Sequence, residues 1–216
     1  MTLTTDLLFY DLNSHTANYT GGGKIVSADN ILTSDHGFYY ADAKELGFKK
    51  NVILTNPEYV MKSDTLRYNT LSKVAYFHGP TTITSTNNLI YCEDGYYNTA
   101  TDISRFSKNS YIISGKQLLK GDSLYYDRKK GIGKARRNIF ILDSAERVTI
   151  RGQYAEYLER TQSSFVSGAA YMTQVYEKDT LFLGADTLFS SYEWKDSLGK
   201  KVPDTKARLL RAYRHV

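Results

Sequence analysis

The sequence lacks most of the features by which a chain announces its chemistry. Its single cysteine, Cys92, excludes an internal disulfide and any cysteine-rich zinc site. The four histidines, His15, His36, His78 and His215, have no ligand spacing of the H-x-x-x-H kind. No G-x-S-x-G elbow is present, so a hydrolase triad has no nucleophile position. Gly21-Gly22-Gly23 precedes no helical pattern and is no phosphate loop. No apolar run approaches the roughly 18 residues of a membrane-spanning helix. The N-terminus has neither a basic nor an apolar region of the signal-peptide type. Catalysis and cofactor binding have no support, and no metal or cofactor is expected.

What is present is tyrosine, 19 residues beside 9 Phe and 1 Trp in a chain of 216. Tyrosine favours half-buried pleated surfaces, which points to β structure. The formal charge of +5 suits a polyanion but is common in proteins that bind none.

The tyrosines are periodic. Asp6, Asp35, Asp64, Glu93 and Asp122 recur every 29 residues, each followed four positions later by Tyr10, Tyr39, Tyr68, Tyr97 and Tyr126. Further columns read Tyr19, Phe48, Phe77, Phe106; Ile25, Leu54, Ile83, Ile112, Ile141; and Ile31, Val60, Leu89, Leu118. Two positions after each acid, Leu8, Gly37, Leu66, Gly95 and Leu124 alternate, which doubles the unit to about 58 residues. Later units are padded: Val175 to Thr180 lengthens a hairpin, and Ser190 to Thr205 is expected as a long loop.

Punctuation within a unit predicts only strands and turns. Strands such as Val60 to Tyr68 end in Asn69-Thr70-Leu71-Ser72, and Asp or Asn after the Tyr can start a turn through its own side chain. Val74 to Phe77 and Thr82 to Thr84 are expected as two strands about a kink at Gly79-Pro80, matched by Lys50-Asn51, Lys108-Asn109 and Arg137-Asn138. Period two places Asp64, Leu66 and Tyr68 on one face, with Ser63, Thr65 and Arg67 on the other. Apolar columns at a fixed period mean that each unit covers its neighbour. Three architectures fit: an elongated jelly roll of V-shaped hairpins, a parallel β-helix or a closed barrel; the antiparallel turns favour the first.

The acid column invites a calcium or catalytic reading, but its spacing strings the acids along a line, and turn or strand-end carboxylates are the simpler account. The tyrosine column is either a packed seam or the lining of a groove for long acyl chains. Basic residues cluster at Arg128 to Arg137 and Lys200 to Arg214, in turns, whereas the aromatics occupy buried-parity columns. That separation speaks against nucleic acid.

Lys62-Ser63-Asp64-Thr65-Leu66-Arg67-Tyr68-Asn69 and Lys120-Gly121-Asp122-Ser123-Leu124-Tyr125-Tyr126-Asp127, each followed by a basic turn and a Gly or Asn kink, resemble the OstA-like family. That family includes a periplasmic lipopolysaccharide-transport bridge protein and the N-terminal part of an outer-membrane lipopolysaccharide-assembly protein. The resemblance implies an all-β, elongated, V-shaped jelly roll of stacked antiparallel hairpins whose interior cradles the acyl chains of lipid A. It also implies partners: other jelly-roll proteins joined through edge strands, or copies of this chain end to end. The resemblance places the protein in the periplasm. The tyrosine richness and the Ser190 to Thr205 insertion look more like OstA-like proteins outside the compact proteobacterial type. One domain over residues 1–216, cut from a longer secreted chain, is expected.

The lipid-facing candidates are Leu8, Tyr10, Ile25, Ile31, Leu54, Val60, Leu66, Tyr68, Ile83, Leu89, Ile112, Leu118, Leu124 and Tyr126. A second reading is an adaptor without a lipid groove, binding protein partners through its sheet edges. A third, a carbohydrate-binding or carbohydrate-cleaving β-solenoid, requires exposed aromatics or paired acids on one sheet face.

Overall fold

A computed structural model describes the backbone of residues 2–197 and 200–216, and the side chains of all of these except 194, 196, 197, 200–203 and 205–207. The chain divides into two compact units, Met1–Gly115 and Lys116–Val216. The first contains β1 (Thr2–Thr4), β2 (Phe9–Asp11), β3 (Thr16–Ser27), β4 (Asn30–Tyr40), β5 (Glu45–Thr55), β6 (Val60–Asn69), β7 (Val74–Thr84), β8 (Asn88–Asn98), β9 (Ile103–Ser107) and β10 (Tyr111–Ser114). The second contains β11 (Gln117–Lys120), β12 (Ser123–Asp127), β13 (Ile132–Asp143), β14 (Val148–Leu158), β15 (Ser163–Val175), β16 (Thr180–Ser197) and β17 (Lys200–Tyr213). Among the described residues the only helical element is a 3-10 turn at Glu159–Thr161.

Within each unit, successive long strands pair antiparallel as stacked hairpins. The expected Asx turns close them. Asn69 Oδ1 accepts from the amides of Leu71 and Ser72 at 3.0 and 2.9 Å, and Asn98 Oδ1 from those of Ala100 and Thr101 at 3.0 Å each. Ala41 to Lys44 form the turn between β4 and β5.

The kink does not separate two strands. Val74 to Thr84 is one strand, β7, carrying a bulge at Gly79, and the same bulge interrupts its neighbours. The backbone is left-handed at Gly21 and Gly22 in β3, Lys50 and Asn51 in β5, Gly79 in β7, Arg137 and Asn138 in β13 and Gly168 and Ala169 in β15, and at Lys108 and Asn109 between β9 and β10. Such a bulge bends its strand, so each long strand has two arms.

The bulge also explains much of the acid column: Asp35, Asp64 and Glu93 lie in mid-strand, and Asp122 lies between β11 and β12. Asn51 Nδ2 donates to Asp35 at 2.8 Å, Asn109 Nδ2 to Glu93 at 2.9 Å, and Asn138 Nδ2 to both oxygens of Asp122 at 3.1 Å. A Cβ on Gly79 would lie 2.8 Å from Asp64 Cβ at φ +82°, so only glycine fits there. Asp35, Glu93 and Asp122 are clips for the bend.

Bending flips the side-chain parity. Along β6 the buried residues are Met61, Ser63 and Leu66, two apart and then three. Ser63 therefore faces inward, against the period-two expectation.

Ser190 to Thr205 also departs from expectation. It is not a long loop: β16 continues to Ser197 and pairs with β17 from Lys200, with a register shift after Tyr192. Leu198 and Gly199 lie outside the described residues.

Candidate functional site

Four rows of cross-strand neighbours cover the inner face of the first unit. The floor runs Tyr19, Gly37, Phe48, Leu66, Phe77, Gly95, Phe106 across seven strands, each residue paired with the next. Tyr19, Phe48, Leu66, Phe77 and Phe106 are all at most 5% exposed. A single pleated layer cannot bury side chains so completely, and the unit has no helix to cover them. At Tyr19 the cover comes from beyond the bulge, where its ring lies against Gly23 of the same strand.

Glycine stands at two positions of the row because the space of a side chain is already taken, by an aromatic ring at Gly37 and by neighbouring backbone at Gly95. A Cβ on Gly37 would fall inside the Tyr19 ring, and one on Gly95 would lie 2.6 Å from the Arg105 carbonyl oxygen. Tyr19 is held by a 2.7 Å bond between its hydroxyl and Ser34 Oγ. Burial pushes its phenol pKa up, and the Ser34 bond opposes this.

Beside the floor, at the bend, a second row is made of small residues: Val52, Ser63, Thr81, Cys92 and Ser110, all at most 6% exposed. Ser63 and Thr81 hydroxyls bond at 2.8 Å. Small side chains fit where the two arms converge. The periodicity contained this signal too, since Ser34, Ser63 and Cys92 are 29 residues apart, as are Val52, Thr81 and Ser110. Burial pushes the Cys92 thiol from 9.0 up to about 12. The folded protein should therefore leave Ellman's reagent unreacted at pH 8 and consume one equivalent in denaturant; rapid reaction in the folded state would contradict the closed bend.

The other two rows form lips. One runs Tyr10, Ala17, Tyr39, Leu46, Tyr68, Ala75, Tyr97. The other runs Ile25, Leu32, Leu54, Met61, Ile83, Ile90, Ile112. Tyr39, Tyr68, Leu54, Ile83 and Ile112 are half-buried. Tyr97 donates its hydroxyl to Asp102 at 2.6 Å, so at least part of the tyrosine lip ends in carboxylates.

The sequence-derived candidates divide accordingly. Leu66 and Leu124 are fully buried within their own units, and Ile25, Leu54, Tyr68, Ile83 and Ile112 stand on the lips. Tyr126, in the second unit, is half-buried and donates to Glu159 at 3.0 Å. Leu8 and Tyr10 are not buried: they are 49% and 51% exposed, Tyr10 at the open end of the tyrosine row in a β2 of only three residues. Ile31, Val60 and Leu89 share the outer face through Thr55 and Thr84, because the parity flip turns inward Leu32, Met61 and Ile90 instead. Leu118 likewise pairs with Leu142, while its neighbour Leu119 joins the inward row of Ile141, Ile150 and the buried Met172.

The model of the OstA-like protein family matches residues 1–64 and again 60–122, two tandem copies with the spacing of the double repeat. The chain belongs to the OstA-like family. No curated protein matches it. Among solved structures it is similar to LptH of Pseudomonas aeruginosa, described as the LptA-homologous periplasmic component of the conserved lipopolysaccharide transport device. The identity is 14% and the TM-score 0.45, over 50% of this chain and 82% of that one.

The second unit of this OstA-like chain has the same inner row in different side chains: Leu124, Ala135, Ala155, Val166 and Leu188 are consecutive partners, all at most 8% exposed. Aromatic packing is therefore peculiar to the first unit's floor.

Proposed function

We propose that the chain is a non-enzymatic, lipopolysaccharide-binding scaffold that carries lipid across the periplasm toward the outer membrane. Membership of the OstA-like family supports the general role. The observation that carries the binding reading is the pair of continuous lips on one inner face, the tyrosine row and the isoleucine-leucine row, in which Tyr39, Tyr68, Leu54, Ile83 and Ile112 stay half-buried while Ile25, Leu32 and Met61 are buried. Acyl chains need an apolar surface that stays open to entry, and the lips offer this where the floor does not. Other jelly-roll proteins of such a bridge, or further copies of the chain, would pair with free strand edges.

Photo-crosslinking tests it. With a photoreactive residue in place of Ile83 or Tyr68, lipopolysaccharide should be captured; at Lys62 or Thr82, on the outer face, it should not. Equal labelling of both sets would sink the assignment of the lips.

One observation favours a second reading. The floor is packed solid, with Phe77 at 0% exposure, as expected of an adaptor that binds proteins by its edges and holds no lipid. Absence of capture at all four positions, together with strand-edge binding to a partner, would establish it.

A further inference from the structure

On the outer face of the first unit, Phe38, Gly47, Arg67, Tyr76 and Tyr96 are consecutive cross-strand partners from β4 to β8. This overturns the expectation that aromatics keep to buried columns: Tyr40 and Tyr76 are each 41% exposed, beside basic side chains. Within this face lies an open hollow of about 440 Å³ whose lining includes Phe38, Tyr40, Glu45, Gly47, Lys49 and Arg67. Its size falls in the range of small-ligand pockets.

We propose that this hollow binds an acidic sugar residue of an oligosaccharide. Phe38 and Tyr40 stack on one another, at 8° with centroids 6.3 Å apart, and Tyr40 is 41% exposed, so the pair presents aromatic surface of the kind that the C–H face of a pyranose packs against. Glycine at 47 leaves the space beside these rings empty. Glu45 and Arg67 are locked to one another by bonds of 2.9 and 3.0 Å, which fixes a carboxylate and a guanidinium at the rim. Each has hydrogen-bonding capacity left over, acceptors on Glu45 and donors on Arg67. A sugar hydroxyl both donates and accepts, so it can use both groups.

A sugar hydroxyl can donate to Glu45, which a phosphodiester, an acceptor only, cannot; the lining therefore favours a sugar over a nucleic-acid backbone. The acidic substituent follows from Lys49. Its Nζ lies 5.6 Å from the Phe38 centroid, and among the described residues it forms no ion pair, so a carboxylate on the stacked ring would find a cation within reach. The site is on the opposite face from the lips and does not depend on the lipid reading.

The experiment is an NMR titration of the ¹⁵N-labelled chain with trigalacturonate, with maltotriose as the neutral analogue and an oligothymidylate as the competing polyanion. Trigalacturonate should shift the amides around Phe38 and Gly47 saturably, and bind about tenfold more tightly than maltotriose. Gly47→Val should abolish this without disturbing the fold, because a Cβ there meets only Phe38 Cβ at 3.9 Å. Phe38→Ala should weaken it by about tenfold as well. No saturable shift, equal binding of maltotriose, tighter binding of the oligothymidylate at the same amides, or full binding by Gly47→Val would each overturn the proposal. A glycolipid source is separated from a free glycan by adding lipopolysaccharide: if its sugar occupies the hollow, the same amides shift, and Gly47→Val removes that shift while leaving capture at Ile83 intact.

Discussion

Replacing Phe77 with alanine should destabilise the first unit by about 3–5 kcal/mol. The side chain is 0% exposed and stacked on Phe106, with centroids 6.4 Å apart at 14°. One of its cross-strand partners is Leu66 and the other Gly95, which has no side chain to move into the vacated space. The cavity would therefore persist, and the cost should sit toward the upper end for a buried aromatic. Urea unfolding measures it, as a lower midpoint at unchanged slope. The control is one residue away: Tyr76→Ala, on the outer face and 41% exposed, should cost about 1 kcal/mol or less. Equal losses from the two would mean that the floor is not the core.

Gly37→Leu should be nearly as damaging, through overpacking. Its Cβ would occupy the space of the Tyr19 ring, which is 2% exposed and tied to Ser34, so the ring has nowhere to go. Overpacking of this kind costs about 1–3 kcal/mol, sometimes more. The diagnostic feature is coupling. Tyr19→Ala alone leaves a cavity worth about 3–5 kcal/mol; with Gly37→Leu added, the leucine fills part of that cavity. The double variant should be more stable than the sum of the single losses by at least about 0.5 kcal/mol in a double-mutant cycle. Strict additivity would show that Tyr19 and Gly37 do not share one space. The contrast within the same sheet is Gly47, where a Cβ makes only ordinary contact with Phe38 at 3.9 Å and a side chain should be tolerated.

These two residues also show how much was legible in advance. The 29-residue spacing made Phe77 and Tyr19 one column and Gly37 and Gly95 another, and it was right about their equivalence. It could not say that the two columns interdigitate. Register decides that, and register places Tyr19 opposite Gly37 and Phe77 opposite Gly95. The acids illustrate the converse. Their repetition was plain, yet their purpose, to hold the left-handed bend of a strand some sixteen residues on, appears only when Asn51 meets Asp35 and Asn138 meets Asp122.

The candidate site was half legible for the same reason. Columns beyond the bend were assigned faces by strict alternation, which put Ile31, Val60 and Leu89 inside in place of Leu32, Met61 and Ile90. A bulge adds residues to one strand and not to its partner, so parity counted across it fails. The outer aromatics were missed because alternation had assigned aromatics to the interior as a class. Phe38 and Tyr40 alternate with Tyr39 within three residues and must point the other way.

By itself, the sequence determined that this is a repetitive, all-β chain of antiparallel hairpins closed by Asx turns, with no helix of consequence and with equivalent positions 29 residues apart. Those properties are local or periodic: turn chemistry acts over three or four residues, and stacking repeats the same contact from unit to unit. Only the tertiary structure decided which columns face one another, that the floor is packed closed while the lips stay half-open, and that a second aromatic surface lies outside. Those outcomes depend on a bend whose direction and parity arise from bonds between strands, and no count along one strand contains them.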